Sequence, residues 1–528
     1  MHNLINLLVF FDPWRHKIGG REGWRADVAA DAQLNEILDD IETSADGPEV
    51  GAIFDYDGTL IAGFSAFAFA QDQILSGAMS PKDFVEQFAA AGKFAAGRTG
   101  FSAFVGATAG SLRGRAESWF EEIGEKVYKN SIAGSVYPEA RAIVDAHQRK
   151  GHTVAIVSSA TKYQIKPVAD DLGIEHVLCT ELEVRNGVFT GAVVRPTCFG
   201  EGKRLAAEKL AARTGLNISD SFFYTDSDDD LPLLEVVGRP RVLNPNRKLA
   251  AIARQRSWRA YRFTSRGRPD LLTIARTAAS YAAMPAAFAA AAPVWALSGD
   301  KRDMLNAAIG MWADYAAAIT GLRLHVEGEQ HLWSHRPAVF IFNHQSSADA
   351  LIAAKLVRRD FTGVGKKEIA RFPVVGPLMK FGDVVFIDRS NRKAAIESMK
   401  KVVKTIKEQG LSVVIAPEGT RSVSTKLGAF KKGPFHIAID AGAPIVPIVI
   451  HNAVDALPRG QNLVRPADVR VTVLPPIPTR GWTKDRLDER IEEIRAMYLR
   501  ELDQGGYEDD LSLDHWDLPE DGGEDDDD

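Results

Sequence analysis

Residues 53–59, IFDYDGT, set two carboxylates, Asp55 and Asp57, two positions apart at the end of the apolar run 51–54. Strand side chains alternate between faces, so both carboxylates start on one face, and Gly58 lets the chain turn away from them. Carboxylates held that close repel unless a cation joins them. A hard ion such as Mg2+, which takes oxygen ligands and shares them with a substrate phosphate, relieves the repulsion. One carboxylate can then attack phosphorus as a nucleophile while the other protonates the leaving oxygen. An acidic turn is the plainer account of the short motif alone, but its company argues for chemistry. Ser158 and Ser159 close a second β-branched run and can donate to phosphate oxygens; Lys203 in GEGKRLAAEKL can neutralise phosphate charge; Asp226 and Asp230 close a third run and can complete a metal site.

Far along the chain, FIFNHQSSADA at 340–350 sets His344 at the end of another apolar run and Asp349 five residues later. An imidazole there can act as base on an alcohol, and the carboxylate, brought back by the turn, can hold its tautomer and stabilise its charged form. The chemistry that suits the pair is acyl transfer to a hydroxyl. Alone, this spacing is met more often as a surface or capping feature. Here it is followed at orderly intervals by Lys366, VFIDR at 385–389, PEGTRS at 417–422 and IVPIVI at 445–450. Arg389 and Arg421 offer forked donors that clamp a phosphate, which lysine does less specifically. The run IVPIVI reads as core.

The first set of residues resembles the haloacid dehalogenase (HAD) superfamily, in particular the subclass IB related to phosphoserine phosphatase, over roughly residues 49–260. The resemblance implies that Asp55 forms an aspartyl-phosphate, that Asp57 is the general acid and base, and that Ser158 and Lys203 bind phosphate. It also implies that Asp226 and Asp230, with Asp55 and Asp57, hold Mg2+, and that an Ala-rich insertion at about 64–135 is a helical cap that selects a phosphomonoester substrate. Two positions depart from the family pattern: Thr225 stands where Gly is usual and Asp229 where Asn is common. The second set resembles the PlsC-like 1-acyl-glycerol-3-phosphate acyltransferases across about residues 326–480. That resemblance implies that His344 deprotonates the free hydroxyl of lysophosphatidic acid and Asp349 orients it. Arg389, Glu418 and Gly419 would position the phosphorylated acceptor, with Lys366 and Arg421 as supporting contacts. The donor would be an acyl thioester, acyl-CoA or acyl carrier protein. Ala416 stands where an aromatic residue usually precedes Pro-Glu-Gly.

These residues need two scaffolds, and a chain of 528 residues exceeds what one core sustains. Short apolar runs alternating with helical tracts argue for parallel sheets with chemistry at the strands' carboxyl ends. The fold expected is α/β: a HAD-type doubly wound parallel sheet with a helical cap, then a second α/β acyltransferase domain preceded by an Ala-rich, membrane-docking helical segment. The boundaries expected are 1–48 for an N-terminal segment, an amphipathic anchor or a packed helix; 49–260 for the HAD-like unit; 261–325 for a basic linker and docking helices; 326–505 for the acyltransferase unit; and 506–528 for a disordered acidic tail. The stretch 239–268 carries ten Arg or Lys and no acid, which reads as a basic boundary. Residues 277–299 are uncharged for 23 positions, yet Ala-rich and broken by Pro285 and Pro293. Interfacial or re-entrant helices come first, a buried helical pair second and a true span last.

The net charge of −6 conceals an asymmetry: twelve acids fall in 508–528, and without them the remainder is +6. Such a body suits anionic membrane surfaces or phosphate-bearing substrates. Cys179 and Cys198 are too few for a disulfide framework and read as buried thiols in a reducing compartment. No aromatic or fold signature accompanies the basic stretch, so nucleic acid is not an expected partner. The site expected is the cytoplasmic face of the plasma membrane, peripheral or monotopic. Two alternatives stand beside the bifunctional reading: an acyltransferase with a non-catalytic, regulatory HAD domain, and a soluble phosphoserine-type phosphatase with a lipid-binding partner domain.

Overall fold

The computed structural model describes residues 29–75, 101–263, 265–267, 271–372, 375–388, 392–423, 425–458, 461–502 and 504. In chain order the first unit comprises α1 (Ala29–Glu42), β1 (Val50–Phe54), α2 (Ser65–Leu75), α3 (Phe101–Ser111), α4 (Glu117–Val127), α5 (Pro138–Arg149), β2 (Thr153–Thr161), α6 (Lys162–Leu172), β3 (His176–Thr180), β4 (Leu182–Arg185), β5 (Val188–Val193), α7 (Glu201–Thr214), β6 (Asn217–Thr225), β7 (Arg239–Leu243), α8 (Arg247–Gln255) and β8 (Arg259–Tyr261). Six strands form a parallel sheet in the order β3-β2-β1-β6-β7-β8. Every residue of β1 is buried, as a central parallel strand covered on both faces requires. The order doubles back at β1 and β6, and a crevice opens at such a switch point outside the carboxyl ends of the strands.

Three expectations change here. Within the segment 1–48, α1 sends Ile37 and Ile41 into the same core as β1 and β6, so this part belongs to the first unit; residues 1–28, with any anchor there, lie outside the described residues. The basic stretch 239–268 is not a plain linker, since β7 and β8 lie in the sheet. Its arginines are matched by acids of α1: Asp40 accepts Arg241 and stands 3.3 Å from Arg259 and 3.7 Å from Arg239. The cap, expected at 64–135, is joined by the hairpin β4–β5. Val188 bridges Ala116, and Phe189 packs against Phe120 and Tyr163 with ring centroids 5.8 and 5.5 Å apart.

The second unit runs α9 (Leu271–Ser298), α10 (Lys301–Thr320), β9 (Leu322–Glu327), β10 (Val339–Phe342), α11 (Asp349–Val357), β11 (Phe361–Lys366), α12 (Val375–Phe381), β12 (Val385–Ile387), α13 (Arg392–Gln409), β13 (Ser412–Ile415), α14 (Gly433–Ala441), β14 (Ile445–Ile450), β15 (Ala467–Val473) and α15 (Leu487–Glu501). Its seven-stranded sheet has the order β12-β11-β13-β10-β14-β15-β9. From β12 to β14 all neighbours are parallel, so the carboxyl ends of β10, β11, β12 and β13 share one edge. The sheet begins earlier than 326, because β9 starts at Leu322 with Leu322 and Leu324 buried.

The helix α9 is continuous for 28 residues through Pro285 and Pro293 rather than broken by them. The local cost of each proline is offset by packing on α10, where Ala291 meets Met304, Leu305 and Ala308. Among the described residues α9 is the one helix long and apolar enough to cross a membrane by length and composition, and most of it is not buried within the protein. The acidic stretch 506–528 lies outside the described residues.

Two candidate active sites

Asp55 follows β1 directly, and its amide donates to Tyr224 O of β6 at 2.9 Å, which fixes it beside the switch point. Lys203, in the first turn of α7, reaches Asp55 Oδ1 at 2.9 Å and Asp230 Oδ1 and Oδ2 at 2.8 and 2.9 Å. All three groups are buried. Burial alone would lower the lysine pKa, but the carboxylates of Asp230 and Asp55 hold it well above the ordinary value. It therefore stays charged. Burial pushes the Asp55 carboxyl up to about 7, against the pull of Lys203 and with repulsion from Asp230. Asp57 is turned to the start of the cap: Ser65 N and Oγ donate to it at 2.7 and 3.2 Å, and burial raises it to about 6 despite those bonds.

Asp226 stands against Gly58, whose φ is +80° and whose missing Cβ would lie 2.3 Å from Asp226 Oδ2. Only glycine fits there. Burial, then repulsion from Asp55 and Asp230, raises Asp226 to about 8. Ser158 is buried within β2, three residues before its end, its hydroxyl accepting from Ala160 N at 3.2 Å. The sheet thus gathers Asp55, Lys203, Asp226 and Asp230 as the spacing predicts. Of the four acids expected as metal ligands, Asp230 is held by Lys203 and Thr225 and Asp57 by Ser65. Among the described residues no three His, Cys, Asp or Glu side chains stand at metal-ligating spacing. Asp55, which shares Lys203 with Asp230, and Asp226 are hard oxygen donors whose mutual repulsion a divalent cation would relieve, so the residues present fit Mg2+. Thr225, a departure from the family pattern, donates to Asp230 Oδ2 at 2.5 Å and thereby helps hold the lysine's partner. Sequence reasoning missed Ser65, whose only signal was its place at the first helical residue after the acidic turn.

In the second unit His344 lies just beyond β10 and Asp349 opens α11. Asp349 Oδ2 accepts from His344 Nδ1, Gln345 N and Ser346 N, each at 2.8 Å. One oxygen thus closes the turn and fixes the imidazole. The carboxylate is wholly buried, and burial raises its pKa against the hydrogen bond from His344. The His344 side chain stays about a quarter exposed, at 24%. Asn343 and Gln345 anchor the turn to β14 through Ile450 O at 2.8 and 2.9 Å, and Ser346 Oγ donates to Leu457 O at 2.6 Å.

The PEGTRS turn follows β13, the neighbour of β10. Glu418 Oε1 accepts from His344 N at 2.6 Å and Oε2 from Gly428 N at 2.9 Å, and Ser422 N donates to His344 O at 2.7 Å. Glu418, expected as an acceptor contact, spends both oxygens on backbone amides. Gly419 has φ +72° in that turn. Arg421 donates to the Ser347 hydroxyl in the turn between His344 and Asp349. Lys366 ends β11 on the same sheet edge but is exposed and 3.6 Å from Glu368. Arg389, just past β12, lies outside the described residues. Asn343, Gln345 and Ser346 were not predicted, although their place in the NHQSS turn is the signal that could have found them.

Comparison with known proteins separates the two units. A family model described as Acyltransferase matches residues 323–451, and one described as haloacid dehalogenase-like hydrolase matches residues 52–235. Over 184 residues the chain is 39% identical to a Limnanthes douglasii protein named 1-acyl-sn-glycerol-3-phosphate acyltransferase, covering 35% of this chain and 65% of that one. Over 189 residues it is 33% identical to the Homo sapiens protein named 1-acyl-sn-glycerol-3-phosphate acyltransferase alpha, covering 35% of this chain and 67% of that one. Among solved structures, the 1-acyl-sn-glycerophosphate (LPA) acyltransferase PlsC of Thermotoga maritima is 20% identical with a TM-score of 0.37, covering 44% of this chain and 97% of that one. This chain spans just under two thirds of the length of the Limnanthes relative.

Proposed function

This chain belongs to the acyltransferase family and carries a haloacid dehalogenase-like hydrolase domain ahead of it, and from that premise we propose that it transfers an acyl chain from a thioester to lysophosphatidic acid, giving phosphatidic acid. The observation that carries this reading is the His344–Asp349 pair, with its imidazole Nδ1 held at 2.8 Å by a buried carboxylate. Asp349 fixes the proton on Nδ1, so Nε2 is the base. Nε2 takes the proton of the acceptor hydroxyl as its oxygen bonds to the thioester carbonyl carbon. The carbon–sulfur bond then breaks, and the thiol leaves with the proton returned by His344. Arg421 and Lys366, with Arg389, bind the acceptor phosphate. Glu418 and Gly419 shape the turn that holds His344. Acyl-CoA or acyl carrier protein supplies the chain. The α9–α10 hairpin docks on anionic lipid at the cytoplasmic face of the plasma membrane, as a peripheral or monotopic element.

The first unit is a phosphatase in this reading. Asp55 attacks phosphorus, Asp57 protonates the leaving oxygen, and Ser158 and Lys203 hold the phosphate oxygens. Mg2+, held by Asp55 and Asp226 with Asp57 and Asp230 nearby, supplies charge neutralisation for the phosphate when bound.

The test is mass-spectrometric product analysis of purified protein in detergent with Mg2+, lysophosphatidate and palmitoyl-CoA. Wild type is expected to make phosphatidate, His344→Ala to make none, and Asp55→Asn to make at least as much as wild type. Absence of phosphatidate from wild type with both acyl-CoA and acyl carrier protein would overturn the reading.

A further inference from the structure

The phosphatase site has aromatic surroundings that its catalytic groups do not account for. Ser65, which holds Asp57, is preceded by Phe64 and followed two residues on by Phe67. Their side chains are 61% and 62% exposed, with ring centroids 6.3 Å apart. At the other end of the site, Phe199 lies on the turn that opens α7, four residues before Lys203. Phe101, the first residue of cap helix α3, stacks on it with centroids 4.4 Å apart and planes 10° from parallel. Exposed rings thus flank Ser65, the partner of Asp57, and a stacked pair of rings from cap and core lies where the helix that carries Lys203 begins.

The charges of the two cap helices that carry Phe67 and Phe101 favour the same conclusion. Among the described residues α2 and α3 together carry one charged side chain, Asp72, and Lys126 engages it at 2.8 Å. Glu117 of α4 is taken by Lys162 at 2.5 Å and by Tyr163 Oη at 2.9 Å. A leaving group that bears an ammonium and a carboxylate, as that of phosphoserine does, needs opposite charges to replace its water. A hydrocarbon needs none and gains from burial against rings.

Resting on the phosphatase reading above, we infer that this site takes the phosphomonoester of a hydrocarbon-bearing alcohol, a lipid phosphate, whose chain lies along Phe64, Phe67, Phe101 and Phe199. Asp55 bonds to phosphorus as the ester P–O bond breaks, and the alcohol leaves with the proton of Asp57. Water then attacks the aspartyl-phosphate, giving its proton to Asp57 and releasing inorganic phosphate. The alcohol released is membrane-soluble, the same class of molecule that the second unit handles.

The full chain with Mg2+ tests this by initial rates on phosphoserine, butyl phosphate and decyl phosphate. A decyl:butyl ratio of kcat/KM of at least about tenfold is expected, since each methylene buried is worth roughly fourfold, with phosphoserine the poorest of the three. Phe101→Ser and Phe64→Ser should each bring the ratio toward one. Calorimetry gives a readout independent of turnover: decylphosphonate is expected to bind wild type at least about tenfold more tightly than it binds Phe101→Ser, in line with the same value per methylene. A preference for phosphoserine, or a flat dependence on chain length, would remove this inference while leaving the phosphatase standing. Identical, negligible turnover of every ester by wild type and Asp55→Asn would remove the phosphatase reading, and the inference with it.

Discussion

Single atoms decide the two proposed chemistries. Asp349 Oδ2 accepts three hydrogen bonds at once, so an amide at this position loses an acceptor and meets N–H groups with its own. Asp349→Asn is expected to lower kcat of acyl transfer by about 10²- to 10⁴-fold with KM little changed, a range set by the loss that follows when a histidine's orienting carboxylate becomes an amide. Steady-state kinetics checks it; a fall in kcat of less than tenfold would mean that the imidazole needs no such orientation. Gly58 makes the matching point in the first unit. Its φ of +80° and the 2.3 Å approach of Asp226 leave no place for a methyl group. Gly58→Ala is therefore expected to abolish Mg2+-dependent phosphatase turnover and leave acyl transfer intact, measured on the same preparation. Loss of both activities would instead mark global unfolding.

Helices and strands explain what could be read from the sequence and what could not. The β-branched runs that end in Asp55, Ser158 and Asp226 are strands because their residues are buried on both faces, a pattern that periodicity exposes directly. The gathering of His344 and PEGTRS was legible for the same reason, as β10 and β13 are short apolar runs that end in polar turns. The hairpin β4–β5 went unread although VRNGVF carries its turn: Asn186 and Gly187 have φ of 52° and 73°, the pair of positive values that Asn-Gly supplies. Chain fragments cannot say that such a hairpin packs on a cap built from residues some seventy positions earlier. The unbroken α9 was illegible because local proline cost and tertiary packing compete, and only the structure shows which wins. That helix starts with Leu271, Leu272 and Ile274, exposed by 85%, 54% and 43%. Replacing all three by Ser is expected to weaken binding to anionic vesicles by roughly 10²-fold or more, from the value of a buried aliphatic side chain. Vesicle co-sedimentation reads the effect, and unchanged sedimentation would move the docking surface elsewhere.

At the scale of the whole molecule, the two units are held by a buried arginine in the segment between them. Arg266 donates from Nη1 to Asp455 O and from Nη2 to Val454 O, both at 3.2 Å, while its neighbour Ser265 donates to Glu139 of α5. The short turn Ala453–Asp455 leads to Leu457, whose carbonyl receives the Ser346 hydroxyl at 2.6 Å. Ser346 N in turn binds Asp349. A continuous path therefore runs from the first sheet's helices to the carboxylate that orients His344. Two carbonyls and a nearby carboxylate lose their donor if the guanidinium is removed, at a cost on the order of 2–4 kcal/mol for groups this buried. Arg266→Met is expected to split thermal unfolding into two transitions and to lower kcat of acyl transfer several-fold. Arg266→Lys, which keeps the charge but not the fork, should recover only part of either. Because the path ends at Asp349, the loss on adding Arg266→Met to Ser346→Ala should be smaller than the sum of the two single effects. Additive losses would instead make the arginine a fastener of domains with no bearing on the His344–Asp349 turn.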